Sequence, residues 1–150
     1  FPTRRSSDLK AMLQTAYPSW LYPVTQGATT IWERWDSYTH ENGFGGNNSM
    51  NSFNHYSLGS VLSWLYENML GIQRDEKNPG FKHFILKPEM GALGFAKGGI
   101  DTPHGRIESA WEKTETGYRY TCTVPENTAA TLILEGNQCE LGSGNYTFEI

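Results

Sequence analysis

The sequence has 150 residues, a formal net charge of -4 and a pI near 5.5: enough chain for one or two domains with a useful core, and no basic face for nucleic acid. No apolar run approaches the roughly 20 residues that span a bilayer, and the start shows no apolar leader, so neither a membrane anchor nor a secretion signal is expected in this stretch. Five Trp, eight Tyr and seven Phe against only 37% hydrophobic residues point to aromatic-lined polar clefts more than to an aliphatic core.

The first nine residues, Phe1-Pro2-Thr3-Arg4-Arg5-Ser6-Ser7-Asp8-Leu9, read as a non-native leader of the kind translated adapter sequence leaves. On that reading the natural polypeptide extends further upstream and the present chain is its carboxy-terminal part. Asp8 is placed to cap a short helix through Ala11, Met12, Leu13 and Ala16 that stops before Pro18, because a residue preceding proline is pushed out of the α region. Trp20, Leu21, Tyr22 and Pro23 are expected to run extended, since Pro18 and Pro23 forbid a continuing helix.

The stretch Thr25–Asp36 then holds the carboxylate of Glu33 between Trp32 and Trp35. An indole face stacks on the C–H bonds of a sugar while a carboxylate handles a hydroxyl or a water. The same residues also suit a plainer role, with Glu33 and Arg34 as a solvated ion pair and the two indoles as core. Residues 39–51 are rich in Gly and Asn, which turn sharply around a ligand or serve equally well in a simple surface loop.

From Ser52 the spacing predicts a helix. Leu58, Val61, Leu62, Leu65, Met69 and Ile72 fall at steps of three and four, with Ser52 as the cap and Gly71 close to the end. His55 stands in its first turn, where a hydrogen-bonded structural histidine and a ligand contact are both compatible with the pattern.

After Asn78-Pro79-Gly80 the period shortens to that of strands. Six are expected, at 81–88, 94–100, 105–113, 118–124, 129–134 and 146–150, with a hairpin over Thr114-Glu115-Thr116-Gly117. Ile107, Ser109 and Trp111, then Tyr118, Tyr120, Cys122 and Val124, alternate as one inward face. The domain boundary is therefore expected between about Arg74 and Phe81. Cys122 and Cys139 read as free, buried thiols, since spacing alone does not pair them. His40, His55, His83 and His104 are scattered without metal-ligand spacing, so neither a metal nor another cofactor is expected.

Four blocks carry a resemblance: Tyr17-Pro18-Ser19-Trp20, then Gly27 through Asp36, then Met50-Asn51-Ser52-Phe53-Asn54-His55-Tyr56, then Pro103-His104-Gly105-Arg106-Ile107 with Trp111. In this order and spacing, over about residues 10 to 150, the chain resembles the carboxy-terminal part of a bacterial α-L-rhamnosidase. The resemblance implies a multidomain α plus β protein: residues 10–78 would close an (α/α)6 catalytic toroid, and residues 79–150 would form an antiparallel β-sandwich that is an accessory domain. It also implies an inverting glycosidase in which one carboxylic acid protonates the leaving oxygen and a second carboxylate activates water.

Glu33 matches the position of the general base, while the family's general acid lies upstream of this sequence, so the chain alone is expected to be nearly inert. Trp20, Trp32 and Trp35 would wall the 6-deoxy sugar and His55 would bond a ring hydroxyl; Tyr22, Arg34, Asp36 and Asn51 would be scaffolding. The implied partners are a rhamnose-containing glycoside or polysaccharide and the upstream part of the same polypeptide, with no nucleic acid and no membrane. The alternatives are another (α/α)6 glycosidase and a non-catalytic carbohydrate-binding or structural β-sandwich module.

Overall fold

The computed structural model describes residues 10–45, 48–91 and 93–150; the expected leader and its cap Asp8 lie outside the described residues. The chain divides into two compact units, Phe1–Val61 and Leu62–Ile150.

Short turns and paired loops build the first unit. Residues 10–13 are helical. Where an extended run was expected, Tyr22–Thr25 forms one helical turn. Its start is fixed by the buried Ser19, whose hydroxyl accepts the Tyr22 N–H at 3.1 Å. Pro23 falls in the first turn, where a missing N–H removes no intrahelical bond, so proline starts this turn instead of excluding it.

Further on, two loop segments lie side by side. The Ile31 carbonyl accepts from the His55 N–H and the Ser52 carbonyl from the Glu33 N–H, both at 2.8 Å, and the Thr30 hydroxyl donates to the Phe53 carbonyl. Trp32 is buried in this unit. Its ring meets Phe53 edge-on at 5.3 Å and Tyr38 at 6.4 Å, and Phe44 closes the set against both. Edge-to-face geometry of this kind adds about 0.5–1.5 kcal/mol per pair beyond the area buried, which helps hold Tyr38, Phe44 and Phe53 around Trp32.

The helix expected from Ser52 begins at Tyr56 and is broken. His55, not Ser52, is its cap, with an extended backbone and a ring nitrogen that accepts the Ser57 N–H. The run continues as Tyr56–Gly59, Val61–Trp64 and a five-residue π-helix, Leu65–Met69. Ser60 marks the first break, with its hydroxyl bonded back to the Ser57 carbonyl at 2.7 Å. Gly71, at φ +69°, ends the run as its position suggested. Ile72 does not extend the helical stripe but opens a strand.

The second unit is a two-sheet sandwich of eight strands: β1 (Ile72–Arg74), β2 (His83–Leu86), β3 (Phe95–Thr102), β4 (Gly105–Lys113), β5 (Tyr118–Val124), β6 (Ala129–Leu134), β7 (Asn137–Leu141) and β8 (Gly144–Glu149). The sheets run β1-β2-β6-β7 and β3-β4-β5-β8. Every pairing is antiparallel except β2 with β6.

Two strands, β1 and β7, escape the sequence pattern. β1 has three residues, and β7 shows solvent four of its five, so neither offers an alternation to read. β1 also lies ahead of the boundary expected at 74–81, which therefore falls inside this sheet. The hairpin at 114–117 forms as expected, closed by the Thr114 N–H on the Gly117 carbonyl.

The core lies between the sheets. Phe84, Leu86, Ala130 and Leu132 face inward from one, and Ile107, Trp111, Tyr120 and Val124 from the other. Burial of side chains of this size is worth about 1.5–3 kcal/mol each. The end of the helical run is tied into this core. Its last carbonyls have no partner within the helix, and the sheet supplies donors: Trp111 Nε1 to Met69 O at 2.7 Å and the Ser109 hydroxyl to Leu70 O at 2.6 Å. Both cysteines are free, but Cys139 is exposed on β7, where only Cys122 is buried as expected.

Candidate active site

The site is built in the first unit around the paired segments 30–33 and 52–55. Glu33 is half-buried there. Its backbone N–H is held by the Ser52 carbonyl, and its Oε2 accepts the Ser52 N–H at 2.7 Å. A main-chain amide on a carboxylate oxygen gives a short, directional, charge-assisted bond. Among the described residues no partner reaches Oε1. One oxygen is thus anchored, and the other has its lone pairs unused among the described residues.

His55 joins the same pairing through its backbone, two residues beyond the Phe53 carbonyl that binds Thr30. Its Nδ1 accepts the Ser57 N–H at 3.4 Å, which puts the proton of the neutral ring on Nε2. Nε2 is then a donor suited to a hydroxyl. The exposed Tyr56 ring stacks beside it at 5.6 Å.

Trp20, Trp32 and Trp35 come together around one cavity of about 50 Å³, shared with Pro23, Val24, Ala28, Thr30, Ile31 and Leu58. Trp20 and Trp35 meet edge-to-face at 5.7 Å. The cavity has room for a water or two, since one water occupies about 30 Å³. It is well short of the roughly 300 Å³ at which ligand pockets begin, and Glu33 and His55 are not among its walls. Trp32 is mainly a core residue, at 7% exposed. Trp35 Nε1 is buried without a partner among the described residues.

Three features of this region are not legible in the residue pattern. They are the Ser52 amide on Glu33, the bonding of buried Ser37 to Asn51, and the ring cluster of Tyr38, Phe44 and Phe53. Backbone donors leave no signature in a sequence, and Ser37 and Asn51 are fourteen positions apart.

A loop-borne carboxylate near indoles, followed by a two-sheet sandwich, is the arrangement whose class comparison with known families supplies. The model described as bacterial alpha-L-rhamnosidase 6 hairpin glycosidase domain matches residues 4–69, and that described as bacterial alpha-L-rhamnosidase C-terminal domain matches residues 71–149. The chain belongs to the bacterial α-L-rhamnosidase family.

Among its relatives, an α-L-rhamnosidase of Alteromonas sp. (strain LOR) is 44% identical over 123 residues, which cover 81% of this chain and 13% of the relative. A solved structure of Streptomyces avermitilis α-L-rhamnosidase complexed with L-rhamnose superimposes with a TM-score of 0.80 at 33% identity, over 93% of this chain and 16% of that one. The native enzyme of Aspergillus terreus gives 0.85 at 36% identity, over 96% of this chain and 17% of that one. The chain therefore spans less than a fifth of the length of the relatives it matches.

Proposed function

We propose that this chain carries the general base of an inverting α-L-rhamnosidase and that Glu33 is that base. The observation that carries the reading is the asymmetry of its carboxylate, with Oε2 bound to the Ser52 N–H and Oε1 without a partner among the described residues. In the reaction a water bonds to the anomeric carbon while the carbon–oxygen bond to the aglycone breaks. The water's proton passes to Oε1, and the aglycone oxygen takes a proton from a carboxylic acid.

That acid is assigned to the part of the barrel this sequence does not span; Asp36 and Glu41 have no bonding among the described residues that gives either the role. His55 Nε2 is assigned to a ring hydroxyl. Trp20 and Trp35 are assigned to the apolar edge of a terminal rhamnosyl group of a glycoside or polysaccharide. Trp32 buttresses them from the core. The sandwich is assigned an accessory, structural role.

The test is hydrolysis of an aryl α-L-rhamnoside by the complete polypeptide with Glu33→Gln alongside. Loss of one acid–base partner is expected to lower kcat about 10²–10⁴-fold. An unchanged rate removes Glu33 from the mechanism. The 150-residue chain by itself is expected to show no turnover in the same assay.

A further inference from the structure

We propose that Ser37 and Asn51, residues that touch no reacting atom, are positioning residues for Glu33, acting as a clamp that fixes the amide on which its carboxylate rests. This rests on the role of Glu33 proposed above.

Ser37 is fully buried. Its hydroxyl lies 2.5 Å from Asn51 Oδ1 and 2.8 Å from the Arg34 carbonyl, and accepts the Arg34 N–H at 3.2 Å. Asn51 Nδ2 in turn donates to the Ser37 carbonyl at 3.2 Å. The Asn51 amide is therefore gripped at both ends by one residue, and that residue closes the turn beginning at Arg34, immediately after Glu33.

The peptide plane that follows Asn51 carries the Ser52 N–H, the donor to Glu33 Oε2. Rotation of that plane swings the donor away from the carboxylate. Asn51 holds the plane from one side, and the Ser52 carbonyl on the Glu33 N–H holds the next one. The other rungs, His55 N–H to Ile31 O and Thr30 hydroxyl to Phe53 O, lie on the far side of Glu33. With the clamp removed those rungs keep the two segments paired, while the end that carries the carboxylate loses its fixed orientation. A displacement of about 1 Å at a reacting group costs up to roughly 10²-fold in rate, so the clamp acts on turnover more than on folding.

The experiment uses the complete polypeptide and an aryl α-L-rhamnoside with a good leaving group. Asn51→Ala, Asn51→Asp and Ser37→Ala are each made in the native background and in Glu33→Ala supplied with azide. Azide is an anion that bonds to the anomeric carbon without giving up a proton, so it needs no base.

The expected result is a kcat lowered about 10–100-fold with KM within about twofold where Glu33 is present, and no further loss of the azide rate where it is absent. Asn51→Asp, which keeps the acceptor and loses the donor, is expected to fall between native and Asn51→Ala and covers the case in which the alanine variant does not fold. Equal losses in both backgrounds make the pair merely structural and overturn the inference, as do native kcat values in Asn51→Ala and Ser37→Ala. A Glu33→Ala enzyme as fast in water as the native one fails the base assignment itself, and is told apart by needing no clamp variant.

Discussion

At the scale of single residues, two side chains of one type meet different fates because burial differs. Cys122 points into the sandwich, and burial pushes its thiol up to about 11, partly offset by the Tyr120 hydroxyl. At pH 8 only about a thousandth of it is thiolate, the reactive form. Cys139 lies exposed on β7. Labelling of the native protein with a disulfide reagent at pH 8 is therefore expected to modify one thiol quickly and the second only in denaturant. Two fast thiols would show that the sheet opens around Cys122. Tyr120 follows the same physics: burial raises its phenol above the usual range, and it stays a neutral hydrogen-bonding group beside Ser109 at 3.1 Å.

At the scale of elements, the junction from helical run to sheet turns on Gly71. A Cβ there would lie 2.1 Å from the carbonyl carbon of Lys87 and from Pro88 N, at a positive φ that side chains resist. Gly71→Ala is expected to destabilise the chain by at least about 2 kcal/mol, read from the midpoint of urea unfolding; a midpoint equal to the native one contradicts this close approach.

The first sheet has its own electrostatic tie. His83 on β2 lies between Asp75 at 2.7 Å and Glu140 of β7 at 3.2 Å, and the Thr131 hydroxyl of β6 reaches both His83 and Glu140. Burial opposes the charged ring, but the hydrogen bonds and charge of Glu140 and Asp75 outweigh it and raise the imidazole above its ordinary 6.5. Asp75 is lowered from 3.8, first by the Asn78 amide, and Glu140 from 4.5, first by the Thr131 hydroxyl.

A raised histidine contributes stability fully below 6.5 and loses it as pH climbs through the folded value. The lowered carboxylates contribute above 3.8 and 4.5 and lose it as pH falls through theirs. The tie is therefore strongest between about pH 4.5 and 6.5. The Tm is expected to decline from pH 6 to pH 8, and His83→Gln to flatten that decline. An equally steep decline in the variant would locate the dependence elsewhere.

At the scale of the whole molecule, the two units differ in what they bury. The sandwich unit buries an apolar layer between its sheets, whereas the first unit leaves Val24, Ile31, Phe44, Met50 and Tyr56 between 44% and 87% exposed. A unit of that size with so much apolar surface seeks a cover, and the relatives, of whose length the chain spans under a fifth, supply far more chain than is present here. The 150-residue chain is expected to self-associate with rising concentration in sedimentation velocity. A single monomeric species with one cooperative melt would contradict this.

Among the described residues no helix is long and apolar enough to cross a membrane. The family, the sandwich and the inward alternation of Ile107, Ser109, Trp111, Tyr120 and Cys122 were legible in the residues, because period and motif spacing are local properties and strands of seven and nine residues repeat them often enough to be read. Glu33 stood out for the same reason, as a charge fixed between two indoles.

What only the tertiary structure decided depends on partners far apart in the chain. β1 and β7 are strands because β2 and β6 offer them edges, not because their own side chains alternate. The helix from Tyr56 is handed to the sheet at its end because Trp111 and Ser109, about forty residues on, take its last carbonyls. The orientation of Glu33 comes from a backbone amide and a serine–asparagine pair that no residue pattern encodes, since a main-chain donor is the same at every position and acts only where the fold brings it.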